Sequence, residues 1–508
     1  MQTIAALISE SLKKHSGKPA LSFFRQGKIE TEMAYGDLDR DSNLLAGFFR
    51  GLGAKRGDRI IFSVEKSLFQ IVAHVAALRM GAVGVPLNPG FKKPELAYLL
   101  NDAQAQLVIA GPAQQRTIQE IDPEARILAV DSEVPYHHLS FFRNAPGGEP
   151  CGSTAPEDPG LIIYTSGTTG KPKGAVLTQG NLAHDAANII EAWKIAASDV
   201  LCHSLPLFHV HGLCFALHTA LISGSHVLML DSFSPDHVLR LLSQTEGRCR
   251  STVFMAVPSM YSRLLDALGA RPLDFSHIRM WASGSAPLLV RDFERMTRAF
   301  GKEPVEREGM TETGMNFSNP LKGKRKPGSI GIPLPGLLIR IVHPDTGRDV
   351  PAGENGEIWL KGPSVTPGYW RKPGETAAAF VEGWFRTGDL GRMDEEGYYF
   401  LTDRLKHIII SGGENISPKE VESVINSYEG VAESSVVGVP DERWGEKVAA
   451  AVVSKPQAQV NVQGLHAHCR EQLHNWKCPK EFILIGSLPR NAMGKILKDE
   501  VKKLFTPG

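Results

Sequence analysis

Ten consecutive residues, Thr165-Ser166-Gly167-Thr168-Thr169-Gly170-Lys171-Pro172-Lys173-Gly174, gather three glycines, four hydroxyls and two lysines. Glycines let backbone N–H groups crowd around an anion, hydroxyls donate further hydrogen bonds, and Lys171 and Lys173 supply charge, so the stretch is suited to gripping a polyphosphate. It is not the common P-loop, which runs from Gly through four residues to Gly-Lys-Ser or Gly-Lys-Thr and opens into a helix. Counting from Gly167, Pro172 stands where the second glycine belongs, and it pushes Lys171 out of helical geometry. A surface turn rich in Gly, Thr and Pro would have the same composition. The rest of the chain has to decide.

The loop needs elements to hold it. The apolar run Leu161–Tyr164 reads as the strand that delivers it, one of a series that includes 59–64, 82–87, 107–110, 227–230 and 252–255. Between them lie helical patterns over 37–52 and 68–80, an alternation that predicts α/β layers with largely parallel sheets. Near Ser329 the texture changes: 338–342 and 356–360, separated by Asp345-Thr346-Gly347, suggest antiparallel structure. A polar bridge, Asp403-Arg404-Leu405-Lys406-His407, then separates the aromatic strand 398–400 from the apolar run 408–410. About a hundred residues follow, enough for a small α+β domain. The boundary is placed at this bridge.

Bulk composition bounds the function. The 508 residues exceed one compact core. With 56 Lys+Arg against 55 Asp+Glu, no global field attracts nucleic acid or an acidic membrane. The N-terminus reads as an amphipathic helix rather than a signal peptide, and no apolar run approaches the ~20 residues of a membrane span. Six cysteines in so long a chain suggest free thiols and a cytosolic location. His466, His468 and His474 lie beside Cys469 and Cys478, but Leu465, Cys469 and Leu473 recur at helical spacing, so this is a helix and no metal is assigned to it.

Six stretches together carry a resemblance: the loop above, Glu306–Thr313 (EREGMTET), Trp384–Leu390 (WFRTGDL), Asp403–Lys406, Ser411–Glu422 (SGGENISPKEVE) and Pro489–Lys495 (PRNAMGK). They resemble the adenylate-forming ANL superfamily, and within it the acyl-CoA synthetases, over nearly the whole chain. The resemblance implies α/β plus a β-barrel subdomain: a large N-terminal adenylation domain over 1–402, a hinge at 403–407 and a small mobile α+β domain over 408–508. It implies ATP, Mg2+ and coenzyme A, and a reaction in which a carboxylate attacks the α-phosphate before the thiol of coenzyme A displaces AMP.

Residue by residue, it implies that Thr165, Ser166, Gly167, Thr168, Thr169 and Lys173 cradle the leaving pyrophosphate, Glu312 holds Mg2+, and Thr311 reaches the α-phosphate. Lys495 matches the catalytic lysine, Asp389 with Arg404 the ribose contacts, and Gly284, Ser285 and Ala286 the backbone along the adenine. Lys406 matches the hinge, and Gly412 and Gly413 border the pantetheine arm. Trp444 packs near that arm or in the small domain's core. Two departures stand out. Glu308 occupies the position of an aromatic, commonly Tyr, that stacks on adenine, and Asp403 and His407 flank the hinge where the family has Gly and Asp.

The acid remains open at this level. The family's acyl pocket is formed near His209, Met255–Tyr261 and the strand before Ser283; the resemblance implies that His209 gates the reacting carboxylate as a catalytic residue, with His209, Ser283 and Met315 as substrate neighbours. A medium or longer fatty acid requires only apolar walls, such as Met255, Met260, Trp281 and Met315. The alternative is malonate or methylmalonate, with Arg263 meeting the distal carboxylate, because burying a second carboxylate requires a cation. Loading of a carrier protein and a non-catalytic nucleotide-binding role are the other readings. The expected partners are a small carboxylic acid, ATP and coenzyme A, with no nucleic acid and no membrane span; the sequence leaves the oligomeric state open.

Overall fold

The structure, a computed structural model, describes residues 2–146, 154–165, 171–411, 414–491 and 494–505. The chain forms two compact units: Met1–Leu338 with Leu360–Phe385, and Ile339–Trp359 with Arg386–Gly508.

The first unit carries two large sheets. The six-stranded one runs Ile127–Ala129, Leu107–Ala110, Arg59–Ser63, Val83–Pro86, Pro159–Thr165, Lys173–Thr178 from edge to edge. Its first five strands pair in parallel and the last turns back antiparallel on Pro159–Thr165. The nine-stranded sheet has the order Ile332–Pro333, Gly314–Ser318, Val305–Met310, Met280–Ser283, Val253–Ala256, Val200–His203, His226–Leu230, Pro19–Arg25, Lys28–Ala34. Its inner strands, such as Val253–Ala256 and His226–Leu230, are buried along their whole length. Strands covered on both faces read as continuous apolar runs, which is why the sequence exposes them. The helix Leu68–Arg79 is buried at every position for the same reason.

Two elements position the site. The helix Gln179–Trp193 begins with a reciprocal cap in which Thr178 Oγ1 accepts from the Asn181 N–H and Asn181 Oδ1 accepts from the Thr178 N–H, each at 3.0 Å. That cap starts the helix directly after the strand Lys173–Thr178 and sets Asp185 and Trp193 on its buried face. The segment His211–His218 is a π-helix, fully buried, a wide coil that the apolar periodicity did not anticipate.

In the second unit, the strands Glu414–Ile416, Ile409–Ser411, Gly445–Ser454 and Val431–Asp441 pair in that order, with Glu481–Leu484 parallel to Gly445–Ser454. Ile409, Ile416, Val421, Ile425, Val436, Val448 and Leu465 pack into its core. The histidine-rich segment is the helix Val462–Gln472, with Leu465 and Cys469 inward. Trp444, expected in this core or near the pantetheine arm, is 38% exposed at a turn, under the Arg443 guanidinium.

The remaining sheet, Leu338–Val342, Gly356–Lys361, Trp384–Met393, Phe380–Val381, with Tyr399–Arg404 on Trp384–Met393, corrects the expected barrel. Among the described residues it is open. Phe380–Val381 has only two residues, both used in a hairpin with Phe385 and Trp384, so it offers no second ladder to close on. Among the described residues no helix is long and apolar enough to cross a membrane.

Candidate active site

The hairpin Pro159–Thr165/Lys173–Thr178 ends in the pair Thr165↔Lys173 and so brackets the ten-residue loop. Ser166, Gly167, Thr168 and Thr169 lie outside the described residues. Across from the bracket stands Glu312, 7% exposed, at the turn between Val305–Met310 and Gly314–Ser318. Its Oε1 accepts from Thr165 Oγ1 at 3.3 Å and from the Tyr369 hydroxyl at 3.1 Å. Burial first, then Glu312 itself, pushes the Tyr369 phenol up, so it remains a donor. The Lys173 ammonium sits 5.2 Å from the centre of the same ring.

Tyr369 was missed in the sequence because nothing in TPGYW signals it. The segment reaches the site through backbone pairing, with Val176 N–H donating to Gly368 O at 3.0 Å and Trp370 N–H to Gly174 O at 2.7 Å. A carboxylate with one oxygen engaged by hydroxyls, beside a lysine and a polyphosphate-suited loop, is a donor set that fits a hard divalent cation.

Thr311, half-buried, precedes Glu312 on the same turn. Glu308, at the position expected of an aromatic, is half-buried and its Oε2 accepts from Asn316 Nδ2 at 3.0 Å.

Deeper in the same unit, next to the expected adenine-lining Gly284, lies Arg307, to which the sequence reading assigned no role. Arg307 is 2% exposed, and its Nε, Nη1 and Nη2 have no hydrogen-bond partner among the described residues. Its guanidinium lies 5.0 Å from the centre of the Phe215 ring. A Cβ added to Gly284 would come within 2.5 Å of Arg307 Nε, so only glycine admits this side chain. Burial pulls Arg307 down to about 10, with Glu308 and Asp185 opposing, and it stays charged at neutral pH.

Further unsatisfied groups accompany it. Ser283, fully buried, has an unpartnered Oγ, and His211, 1% exposed, has an unpartnered Nε2. His211 Nδ1 and Ser285 Oγ are 3.2 Å apart, and Ser285 holds a φ of 70°, a strained value for a residue with a Cβ. Asp185 is buried, and its Oδ1 accepts from the Met315 N–H at 2.8 Å. A buried arginine inside a strand is the signal that sequence could have offered; in a bare sequence it reads as an ordinary solvent-facing position.

The other expected acyl residues are placed as follows. His209 is half-buried and held neutral by burial, which pulls it down to about 4. Met315 is 1% exposed. Arg263 is exposed on the helix Pro258–Leu268, its guanidinium 4.9 Å from the centre of the Phe233 ring. Trp281 is core: it stacks on Phe300 at 4.1 Å and meets Phe254 and Phe275 edge-on.

The second unit holds its own cluster. Asp389 and Arg404 face each other in register, with Arg404 Nε 2.7 Å from Asp389 Oδ1. Thr387 Oγ1 accepts from the Asp389 N–H at 3.0 Å. Asp403, 3% exposed, accepts from Ser417 Oγ at 2.8 Å and from the Lys419 N–H at 3.0 Å, so the bridge residue caps the helix Pro418–Ser427. Lys406 is exposed in the short 3-10 turn Leu405–His407. Lys495 is exposed, and its N–H donates to Asn491 Oδ1 at 3.0 Å. Gly412 and Gly413 lie outside the described residues.

Comparison with known proteins places these groups in context. A family model described as AMP-binding enzyme matches residues 8–370, and one described as AMP-binding enzyme C-terminal domain matches 420–495. The chain is 33% identical over 540 residues to a long-chain-fatty-acid–CoA ligase of Bacillus subtilis, covering 98% of this chain and 93% of the relative. It is 35% identical over 508 residues to a mitochondrial malonate–CoA ligase of Mus musculus, covering 92% and 86%. The crystal structure of ATP-bound MatB from Rhodopseudomonas palustris superimposes with a TM-score of 0.92 at 35% identity, over 99% of each chain.

Proposed function

The chain belongs to the AMP-binding enzyme family and is an adenylate-forming acid–thiol ligase using ATP and coenzyme A, and on that premise we propose that its acid is a short dicarboxylic acid of the malonate class. The observation that carries this reading is Arg307. A buried guanidinium without hydrogen-bond partners costs on the order of several kcal/mol, and an anion arriving with the substrate offsets that cost. His211 Nε2 supplies a further unsatisfied polar atom, on an imidazole that burial first and then the Arg307 charge keep neutral. A fatty acyl chain would leave all of them unpaired, whereas a second carboxylate satisfies them. Arg263, the cation first considered for this task, is exposed and stacked on Phe233.

The chemistry assigns a role to each remaining group. A substrate carboxylate oxygen attacks the α-phosphorus, and pyrophosphate departs against Thr165, Lys173 and the loop between them. Thr311 steadies the α-phosphate, and Lys495 offsets the repulsion of two anions brought together. Glu312 would hold Mg2+, which neutralises phosphate charge when bound. Neutral His209 lies along the reacting carboxylate without adding charge. Asp389 and Arg404 take the ribose hydroxyls. For thioester formation the segment 408–508 turns about 403–407, at Lys406, and withdraws Lys495. The five described cysteines are all free, which supports a cytosolic setting.

The test is coenzyme-A-dependent AMP formation across acetate, butyrate, palmitate, malonate and methylmalonate. The proposal expects malonate or methylmalonate to lead. A lead by palmitate would overturn it in favour of a fatty acyl-CoA ligase.

A further inference from the structure

Lys66 takes no part in the steps above, yet it ties the two large sheets together at the root of the segment that carries His209. It follows the strand Arg59–Ser63 of the six-stranded sheet, directly before the Ser67 cap of the helix Leu68–Arg79, and its side chain reaches the end of Val200–His203 in the nine-stranded sheet. An ammonium has three N–H donors and no acceptor. Three acceptors meet this one: Leu205 O at 2.8 Å, His203 O at 3.3 Å and His203 Nδ1 at 3.2 Å. They favour the ammonium over a neutral amine, which has one donor fewer, and so oppose the burial that brings Lys66 down to about 7.

The contact with His203 carries further. The other ring nitrogen, Nε2, lies 2.8 Å from Gly212 O. A carbonyl only accepts, so Nε2 holds the proton and Nδ1 offers its lone pair to Lys66. Burial first, then the Lys66 charge, keeps this imidazole neutral. Gly212 lies in the first turn of the π-helix, and a Cβ there would overlap the Pro206 carbonyl, so the chain from Pro206 to Gly212 closes tightly on itself. Between the two fastened points, Leu205 and Gly212, stand His209, its ring 4.7 Å from that of Phe208, and His211, whose Nδ1 is 3.2 Å from Ser285 Oγ. His209 O accepts from the Leu213 N–H at 2.9 Å, which continues the segment into the π-helix.

We propose that Lys66 is a positioning residue for adenylation: directly through Leu205 O, and through the tautomer of His203 to Gly212 O, it fixes the segment 204–211 and so sets His209 against the reacting carboxylate. The proposal rests on the reading of His209 given above. It is independent of which acid is used, because His209 meets the carboxylate that every candidate acid shares. Removing the ammonium leaves two carbonyls without this donor and frees His203 to carry its proton on Nδ1, after which Gly212 O loses its donor as well. A displacement of about 1 Å at His209 would then cost on the order of a hundredfold in rate.

The experiment is a double-mutant cycle on kcat/KM in wild type, Lys66→Met, His209→Ala and the double variant, with malonate, butyrate and palmitate as acids. Lys66→Met keeps the reach of the side chain and removes its donors. Alone it is expected to lower kcat/KM about ten- to a hundredfold for every acid that is turned over, with KM for ATP within about twofold of wild type. In the His209→Ala background the same substitution should cost no more than about twofold. If Lys66→Met does not fold, Lys66→Gln, which keeps an amide donor, runs the same cycle with a smaller loss expected. An equal loss in both backgrounds, or none in either, overturns the coupling and leaves the reading of His209 standing. A loss for malonate that spares butyrate and palmitate assigns Lys66 to the pocket of Arg307 and overturns the coupling as well. If His209→Ala leaves kcat/KM unchanged for every acid, the reading of His209 falls and the proposal with it.

Discussion

Thr165 and Glu312 stand 147 positions apart in the chain and meet through Oγ1 and Oε1 at 3.3 Å. The contact joins the end of the phosphate-suited loop to the acidic turn, and Tyr369 completes it from a third segment. An acid placed there without a cation would repel the polyphosphate proposed to lie against the loop. Glu312→Gln is therefore expected to raise the Mg2+ concentration needed for half-maximal adenylation at least about tenfold. Tyr369→Phe removes one hydrogen bond to a charged group and should cost about tenfold in kcat/KM. Titrating Mg2+ at fixed ATP checks both.

Lys495→Ala should lower adenylation by a factor on the order of a thousand while leaving ATP binding largely intact. Thioester formation from supplied acyl-adenylate should persist, because that step does not bring two anions together. Acid-dependent pyrophosphate exchange isolates the first step; undiminished exchange would remove Lys495 from it.

Asp389 and Arg404 hold each other at 2.7 Å. Asp389→Asn weakens the acceptor proposed for the ribose hydroxyls and removes the Asp389–Arg404 ion pair. KM for ATP should rise about ten- to a hundredfold with a smaller change in kcat.

Glu308→Tyr places an aromatic where this chain has a carboxylate held by Asn316. A stacking contact worth about 0.5–1.5 kcal/mol should lower KM for ATP by roughly two- to tenfold. An unchanged KM would show that position 308 does not face the base.

Much of the architecture was legible because it rests on local physics. The buried parallel strands announce themselves as apolar runs, and Leu107–Ala110 and Leu338–Val342 have the predicted bounds. The loop's composition could be read directly, whereas Glu312, Asp389 and Arg404 were named through the resemblance; the structure sets Glu312 against Thr165 and Asp389 against Arg404. Arg307 was not legible: a sequence shows its charge but not the burial that strips its partners away. Tyr369 joins the site through strand pairing to a segment nearly two hundred residues earlier. The π-helix and the open sheet depend on hydrogen-bond register and strand closure, which no periodicity encodes.

The central claim is that Arg307 selects the acid, and the most direct measurement compares kcat/KM for malonate and for butyrate in wild type and Arg307→Met. The account predicts that wild type favours malonate and that the substitution lowers malonate turnover about a hundred- to a thousandfold while sparing butyrate. Equal losses for both acids, or none, would contradict it.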